Sequence, residues 1–247
     1  MSLPGYVPGM PRIGTVRSTT PRIIFRDGLV EWLLSGGKVI SGATCRDIGN
    51  TGNLDVLRAG VLMGKISSVV NSLGTVDNYA VSVMGRLSAA YAAAATTMTM
   101  TAPSAVELNR RAGASGTFKI AGPPTAAGVM AIETVTYSAI NVTTGVATIT
   151  ALANSYVSGA LVLPTDGSEQ PLTLIPDTYG GTGLKMTDID DSSNLDIPFS
   201  YFPVGGTLIG ANIIAGGTYP ADATIRTWIR TALSTAAGGK FAFDDVY

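Results

Sequence analysis

The segment at residues 54–66 constrains the fold of this chain more than any other stretch. It reads LDVLRAGVLMGKI, two short apolar pieces separated by a turn that contains Gly60. Gly60 can adopt a positive φ at the turn, and Gly64 allows the second piece to bend. Strands interrupted in this way favour a bent, barrel-like sheet over a flat one. We therefore expect a mainly β fold in which Leu57 and Ile66 pack into the core.

A nucleotide-binding loop is the alternative interpretation of the same glycines. A phosphate-binding loop has four residues between its glycines and a Ser or Thr after its Lys. Here three residues separate Gly60 from Gly64, and Ile66 follows Lys65. Because the hydroxyl group that would hold magnesium is missing, we interpret the segment as a turn that leads into a core strand.

Composition excludes several kinds of chemistry. The 247 residues include no His and one Cys, 13% of them are charged, and the net charge is −1. Without His, neither a Ser-His-Asp triad nor a His-ligated metal is possible. Cys45 alone cannot form an intrachain disulfide or a thiolate cluster, and we expect it to be a small core residue. The near-neutral charge argues against nucleic-acid binding. We expect no enzymatic activity, metal or cofactor.

Low charge is typical of protein interfaces and of membrane proteins. Soluble domains usually carry about 25% charged residues, and interface cores are depleted in charge. The uncharged stretch 134–165 mixes apolar residues with Thr, Ser, Asn and Gly, and the uncharged stretch 87–106 contains Pro103 and an alternation of Thr with Met, so neither forms an apolar run of about 20 residues. The N-terminus lacks a basic region followed by an apolar core, so no signal peptide is expected. The composition therefore favours a protein that functions within an assembly.

Residues 1–24 are predicted to form an extended arm, because four prolines alternate with glycines there and exclude a helix. Burying its apolar side chains would contribute roughly 10–20 kcal/mol. Ordering its backbone costs roughly 25–50 kcal/mol. The arm should therefore order only on a partner; a disordered tail is the alternative. Seven residues are the candidate contacts: Tyr6, Val7, Arg12, Ile13, Val16, Arg17 and Arg22.

Residues 92–155 predict a small inserted α+β module. Its predicted elements are a strand at 96–101, a helix at 103–112, strands beginning at 117 and 129, and a hairpin turn at 141–145 before a strand at 146–150. Val106 and Leu108 are the helix residues available for packing. In the strand at 129–138 the apolar phase slips after Ile132, which a bulge at Glu133 would explain.

The rest of the chain predicts further short strands. They cover 38–43, 78–87, 160–163, 171–175, 197–203 and 207–214. The Asp166-Gly167 pair predicts a type I′ hairpin between the strands at 160–163 and 171–175. Leu29, Trp32 and Leu33 have helical spacing and predict a short helical piece.

One acidic cluster stands out near the end of this region. It consists of Asp188, Asp190, Asp191 and Asp196. A calcium loop of the EF-hand type has a central Gly and a late Glu, and this cluster has neither. We interpret it as a solvated acidic loop, or as a partner for the arm's arginines across an interface.

The clearest predicted element is a C-terminal helix. Its apolar residues recur at i, i+3, i+4 and i+8 and form one stripe: Ile225, Trp228, Ile229 and Leu233. Pro220 blocks its extension toward the N-terminus, and the glycines at 238 and 239 end it. The stripe should dock on the sheet, while Arg226 and Arg230 lie on the opposite side.

Taken in order, these elements resemble the lambda-type head decoration (capsid-stabilising) proteins of tailed bacteriophages. The resemblance is carried by GKVISG at 37–42, LRAGVLMGKI at 57–66 and DGSE at 166–169, with the strand at 171–175 behind. The family order is an apolar strand, an L-x-x-G-x-x-x-G-K-I strand pair, and a DGSE turn with its return strand. The insertion at 92–155 is the main departure from short family members.

The resemblance implies a β-tulip domain made of residues 25–91 and 156–247. It also implies a homotrimer that binds the major capsid protein at threefold sites on the outer surface of the expanded head, and that supplies no chemistry. The alternative is a tail or fibre-type adhesin whose module at 92–155 binds host glycan, with Phe118 and Tyr137 as its few aromatic residues.

Overall fold

The protein is mainly β, as predicted, in a computed structural model that describes residues 31–32, 38–51, 54, 56–123, 130–176, 184–185, 196–199, 202–235 and 240–244. The two α-helices described are α1 (Ala102–Ala112) and α2 (Ala223–Thr235), and 3₁₀ turns cover Gly42–Thr44 and Gly210–Asn212. The strands are β1 (Glu31–Trp32), β2 (Lys38–Ile40), β3 (Val56–Leu57), β4 (Leu62–Lys65), β5 (Tyr79–Val81), β6 (Gly85–Arg86), β7 (Thr97–Thr99), β8 (Gly116–Gly122), β9 (Ala131–Ile140), β10 (Val146–Ile149), β11 (Leu161–Leu163), β12 (Thr173–Leu174), β13 (Leu184–Lys185), β14 (Ile197–Phe199), β15 (Pro203–Ile209) and β16 (Lys240–Asp244).

These strands form four sheets. Their orders are β12-β4-β5-β2-β14, β6-β11-β8-β9-β10-β7, β1-β15-β16 and β13-β3. The segment at 54–66 supplies β3 and β4, and Gly60 between them has a φ of 91°, as its predicted turn requires. The five-stranded sheet therefore gathers short strands from most of the chain, whereas the six-stranded sheet is built around the consecutive strands β8, β9 and β10.

The strand predicted at 78–87 is two strands in different sheets. β5 lies in the five-stranded sheet, and β6 lies at the edge of the six-stranded sheet. The backbone between them crosses from one sheet to the other, and residues 78–85 are all buried. Because both faces are buried there, alternation of apolar residues could not reveal the crossing.

The predicted hairpin at Asp166-Gly167 is wrong. β11 pairs with β6 and β8, whereas β12 pairs with β4, so the loop between β11 and β12 connects two sheets. A type I′ turn needs a positive φ at both central residues, and Gly167 has one (97°) but Asp166 does not. The buried contacts of Asp166, described below, hold this loop instead.

Within 92–155, the helix and strands are confirmed, but two details are wrong. Glu133 pairs regularly with Ile120, so there is no bulge; the β9–β10 register shifts between Thr148 and Ile149 instead. The apolar phase slips because Ile132 points outward and is 47% exposed, while Glu133 points inward. Val106 is 46% exposed and does not pack into the core, unlike Leu108.

The sheet of the inserted module extends beyond its predicted boundaries. β6 and β11, which flank 92–155 in the sequence, complete the six-stranded sheet. Residues from outside the module, including Met84, Leu87 and Val162, share one apolar core with Phe118 and Tyr137. The boundaries at 92 and 155 stay a prediction. The strands between them share one sheet with β6 and β11, which lie outside these boundaries.

The C-terminal helix is confirmed as α2, with Ile225, Ile229 and Leu233 buried and Trp228 partly buried against the same core.

Two strands that pair with β15 were not predicted. β16 follows α2 and pairs in parallel with β15, which gives a strand–helix–strand connection. Glu31–Trp32 is a strand paired with β15, so the short helical piece expected there is wrong.

Candidate functional site

A buried ion pair joins the two large sheets. Arg111, near the end of α1, donates from Nη2 to Asp166 Oδ2 over 2.6 Å and to Ser168 Oγ over 3.0 Å. Its Nη1 donates to the carbonyl oxygen of Val81 in β5 over 2.7 Å. Both charged side chains are buried. We call Arg111, Asp166 and Ser168 the polar junction, because helix α1 packs under the six-stranded sheet while Val81 belongs to the five-stranded sheet.

Asp166 stays ionised in this setting. Burial raises the pKa of its carboxyl group, but the Arg111 guanidinium and hydrogen bonds from Ser168 more than offset that effect, so the pKa lies below its usual value. Its Oδ1 accepts from both the N–H and the hydroxyl group of Ser168. Its carbonyl oxygen accepts from the N–H groups of Ser67 and Ser68. The loop that was predicted to be a hairpin is thus fixed by side-chain and backbone bonds.

A second buried carboxylate anchors α1 one turn earlier. Glu107 is buried and accepts two hydrogen bonds from the guanidinium of Arg110. Arg110 also donates to the carbonyl oxygen of Ala43 in the 3₁₀ turn after β2. Helix α1 therefore contacts the segments around β2 and β5 through two adjacent arginines, which explains why so polar a helix packs in the interior.

Gly64 lets the same loop pack tightly on β4. A Cβ atom at this position would lie 2.1 Å from the carbonyl oxygen of Ser168 and 2.6 Å from that of Gln170. Since real Cβ atoms never approach backbone that closely, only glycine fits here. The sequence identified Gly64 as a point where the strand could bend, and the structure shows that it permits a close backbone approach.

Two other arginines hold the turn at Gly216 and Gly217. Arg58 pairs with the buried Asp47 over 2.6 Å and donates to the carbonyl oxygen of Gly217 over 2.7 Å. Arg86 donates to the carbonyl oxygens of Ala215 and Thr218. Through these bonds the hinge after β3 and the strand β6 are both tied to the chain that leads into α2.

Of the core and site residues predicted from the sequence, some lie in the part of the chain that the structure describes and others lie outside it. Leu57, Ile66, Ile225, Ile229 and Leu233 are buried. The arm contacts Tyr6, Val7, Arg12, Ile13, Val16, Arg17 and Arg22, and the acidic residues Asp188, Asp190 and Asp191, lie outside the described residues.

Asp196, the described member of the acidic cluster, accepts hydrogen bonds from the side chains of Asn78 and Thr75. Cys45 is 1% exposed, and burial raises the pKa of its thiol to about 12. Cys45 is thus the small core residue that was expected. In the described ranges, no three His, Cys, Asp or Glu side chains are grouped to hold a metal ion.

Sequence reasoning missed the residues of the polar junction as a group. Arg111 was read only as the end of a helix, and Asp166 as a turn residue. The available signal is indirect: only 13% of the residues are charged, and charged side chains are almost never buried unless they are paired. Spacing alone gives no clue that the two meet, because they are 55 positions apart.

The outward side of β7, β9 and β10 carries no charged residue, and we call it the threonine face. It consists of Thr97, Ile132, Thr134, Thr136, Ser138, Val146 and Thr148. Phe118 and Tyr137, the aromatic residues proposed for glycan contact, point the other way and are buried.

No family model, curated protein or solved structure matches this chain. Of the helices that the structure describes, none is both long and apolar enough to cross a membrane. The fold and its side-chain contacts are therefore the basis for any functional proposal.

Proposed function

We propose that this chain is a phage capsid decoration protein that binds the outside of the expanded head as a trimer, at threefold or quasi-threefold sites, and stabilises the shell against the pressure of packaged DNA. In this proposal the domain around the five-stranded sheet has the β-tulip fold, residues 1–24 contact the major capsid protein, and the protein performs no chemistry.

The observation that carries the proposal is the way in which the family-like segments meet. GKVISG at 37–42 contains β2, LRAGVLMGKI at 57–66 contains β4, and PLTLI at 171–175 contains β12. All three strands lie in the five-stranded sheet. The DGSE loop packs directly on Gly64. Segments that resemble one family in sequence order are thus spatial neighbours, as parts of one domain should be.

A structural role also agrees with the buried charges. The buried carboxylates Asp47, Glu107 and Asp166 are each bonded to an arginine, which suits a framework rather than acid–base chemistry. The adhesin alternative gains no support from the aromatic residues proposed for it, because Phe118 and Tyr137 are buried.

Co-sedimentation with empty shells tests the proposal. The full-length protein is mixed with shells of its parent particle before and after expansion. We expect binding to expanded shells only, saturating at one trimer per local threefold site. Binding to neither form would overturn the proposal.

A matched pair of full-length variants tests the arm in the same assay. Replacing Arg12, Arg17 and Arg22 with Ala removes the positive charges of the arm, whereas Arg230→Ala removes a positive charge from α2. We expect the triple variant to lose most binding and the Arg230 variant to bind normally. Equal binding by both would exclude a role for the basic arm residues.

A further inference from the structure

We propose that one water molecule is bound in a small cavity beside the polar junction, where it accepts a hydrogen bond from Nε of Arg111. This water would be an integral part of the junction and would link the end of α1 to the loop between β11 and β12. The inference does not depend on the proposed capsid role, because it rests only on the buried surroundings of Arg111.

Arg111 has one buried N–H group that the described residues do not satisfy. Its side chain is 3% exposed, and its two Nη atoms donate to Val81, Asp166 and Ser168. Its Nε is also buried, but no acceptor atom of the described residues lies within hydrogen-bond distance. The second carboxylate oxygen of Asp166, which a two-bond pairing with the guanidinium would use, accepts from Ser168 instead. Because a buried donor without an acceptor is costly, Nε calls for an acceptor from another source.

A small cavity lies beside this N–H group. Arg111 lines it together with Ala112, Thr165 and Asp166, and it has room for about one water molecule. A buried water needs about two to four polar partners. Arg111 supplies a donor, while Thr165 and Asp166 supply acceptor oxygens. The cavity therefore has both the size and the polar lining that a bound water requires.

Charge and size exclude other occupants. Asp166 already balances the charge of Arg111, so an anion would meet a carboxylate and a metal cation would meet a guanidinium. The rest of the wall is apolar, formed by Val70, Met84 and Pro164, and an organic ligand is larger than the space. Cavities that stay dry are lined by apolar groups, unlike this one. A small neutral molecule that both accepts and donates hydrogen bonds fits, and that molecule is water.

NMR of the ¹⁵N-labelled full-length protein tests the inference in solution. The Hε resonance of Arg111 is identified by its loss in Arg111→Lys. We expect cross-peaks between this Hε and water that have opposite signs in NOE and ROE spectra, as a long-lived bound water gives and proton exchange does not. Arg58 is the matched control, since its Nε donates directly to Asp47 over 2.6 Å and should give no such cross-peaks. Their absence at Arg111 would overturn the proposal.

A cavity-filling variant separates bound water from a signal that nearby hydroxyl groups relay. Ala112→Val enlarges a side chain that lines the cavity, while the hydroxyl groups of Thr165 and Ser168 remain. We expect the cross-peaks of Arg111 to disappear in this variant and the other amide resonances to stay dispersed. Cross-peaks that persist in the folded variant would contradict a water in this cavity.

A crystal structure of the wild-type protein decides the question without any substitution. One ordered water should lie within about 3.2 Å of Nε of Arg111. A protein acceptor at Nε, or a cavity without an ordered water, would overturn the proposal. Neither result bears on binding to shells, so the capsid proposal and this one fail separately.

Discussion

The two large sheets of this protein are built in opposite ways. In the six-stranded sheet, β8, β9 and β10 follow one another between residues 116 and 149 and reach seven, ten and four residues in length. In the five-stranded sheet, strands of two to four residues come from positions as far apart as 38 and 199. The centre of the first is held by local pairing of β8, β9 and β10, whereas most pairings of the second join distant segments. The stability of the second sheet should therefore depend more on the contacts that join those segments.

The polar junction is the main test of that difference. Arg111→Met removes the guanidinium but leaves Asp166 buried without its charged partner. We expect the free energy of unfolding to fall by ~3–5 kcal/mol, because an uncompensated buried charge is costly. Urea denaturation measures it.

Two control variants sharpen this result. The double variant Arg111→Met/Asp166→Leu should recover most of the lost stability, because both charges are removed together. Lys65→Met, which breaks the exposed pair with Asp77, should leave the unfolding midpoint unchanged. A small loss for Arg111→Met would mean that the junction does not join the sheets.

Helix α2 provides the next largest effect. Leu233 is fully buried, whereas Trp228 is only partly buried against the same core. Leu233→Ala should cost ~3–4 kcal/mol through its cavity, and Trp228→Ala should cost less although it removes more atoms. Thermal unfolding of both variants compares them. A larger loss for Trp228→Ala would show that the tryptophan carries the helix contact.

Substitutions of Gly64 and Gly159 distinguish the cost of a steric clash from the cost of an unfavourable backbone conformation. Gly64→Ala forces a methyl group against the carbonyl oxygen of Ser168 and should cost ~3 kcal/mol. Gly159 has a φ of 85° with no atom within 4 Å of its missing Cβ, so Gly159→Ala should cost only ~1 kcal/mol. Urea midpoints of the two variants test the order, and equal losses would contradict the close contact in the five-stranded sheet.

Acid should weaken the junction within a defined range. The folded-state pKa of Asp166 lies below its usual value of 3.8, so its contribution to stability is fully present above about pH 5 and is lost as the pH falls through the folded-state pKa. We expect wild-type stability to decline below about pH 4, and Asp166→Asn to decline less over that range. Urea midpoints between pH 7 and pH 3 measure it, and parallel curves for the two proteins would refute this role.

The smallest expected effect is at Cys45. Burial raises its pKa to about 12, so the thiol is both protonated and covered at neutral pH. A thiol reagent should label the native protein only as fast as it unfolds and label it at once in denaturant. Rapid labelling of the native protein would show that the region around Cys45, just after β2, opens without global unfolding.

The sequence predicted the locally determined elements of this structure better than those that depend on distant segments. Local sequence signals were informative: the helix that ends at 112, the hairpin turn at 141–145 and the stripe of α2 all lie where they were expected. Two local patterns were misleading. The alternation at 78–87 predicts one strand but covers a crossing between two sheets, and the Asp166-Gly167 pair predicts a hairpin but lies in a loop between two sheets. Their true positions depend on distant partners: β6 pairs with β11, and Asp166 bonds to Arg111, 55 positions away.

The candidate site was predictable only in part for the same reason. Gly60 and Gly64 were identified because a glycine within an apolar strand is itself a signal. The bonds from Arg111 to Asp166 and from Arg58 to Asp47 join residues whose pairing no periodicity encodes. The strand β16 was missed because Phe241 and Phe243 alternate over only five residues at the end of the chain.

Native-state hydrogen exchange tests most directly whether the two sheets form one unit joined at the polar junction. The amides of β5 and β9 report on the five-stranded and six-stranded sheets, respectively. If the account is correct, their slowest amides open with the same free energy, and Arg111→Met lowers both by the same amount. If β9 stays protected at a higher free energy than β5, and Arg111→Met changes only β5, then the inserted segment is an independent module and the account is wrong.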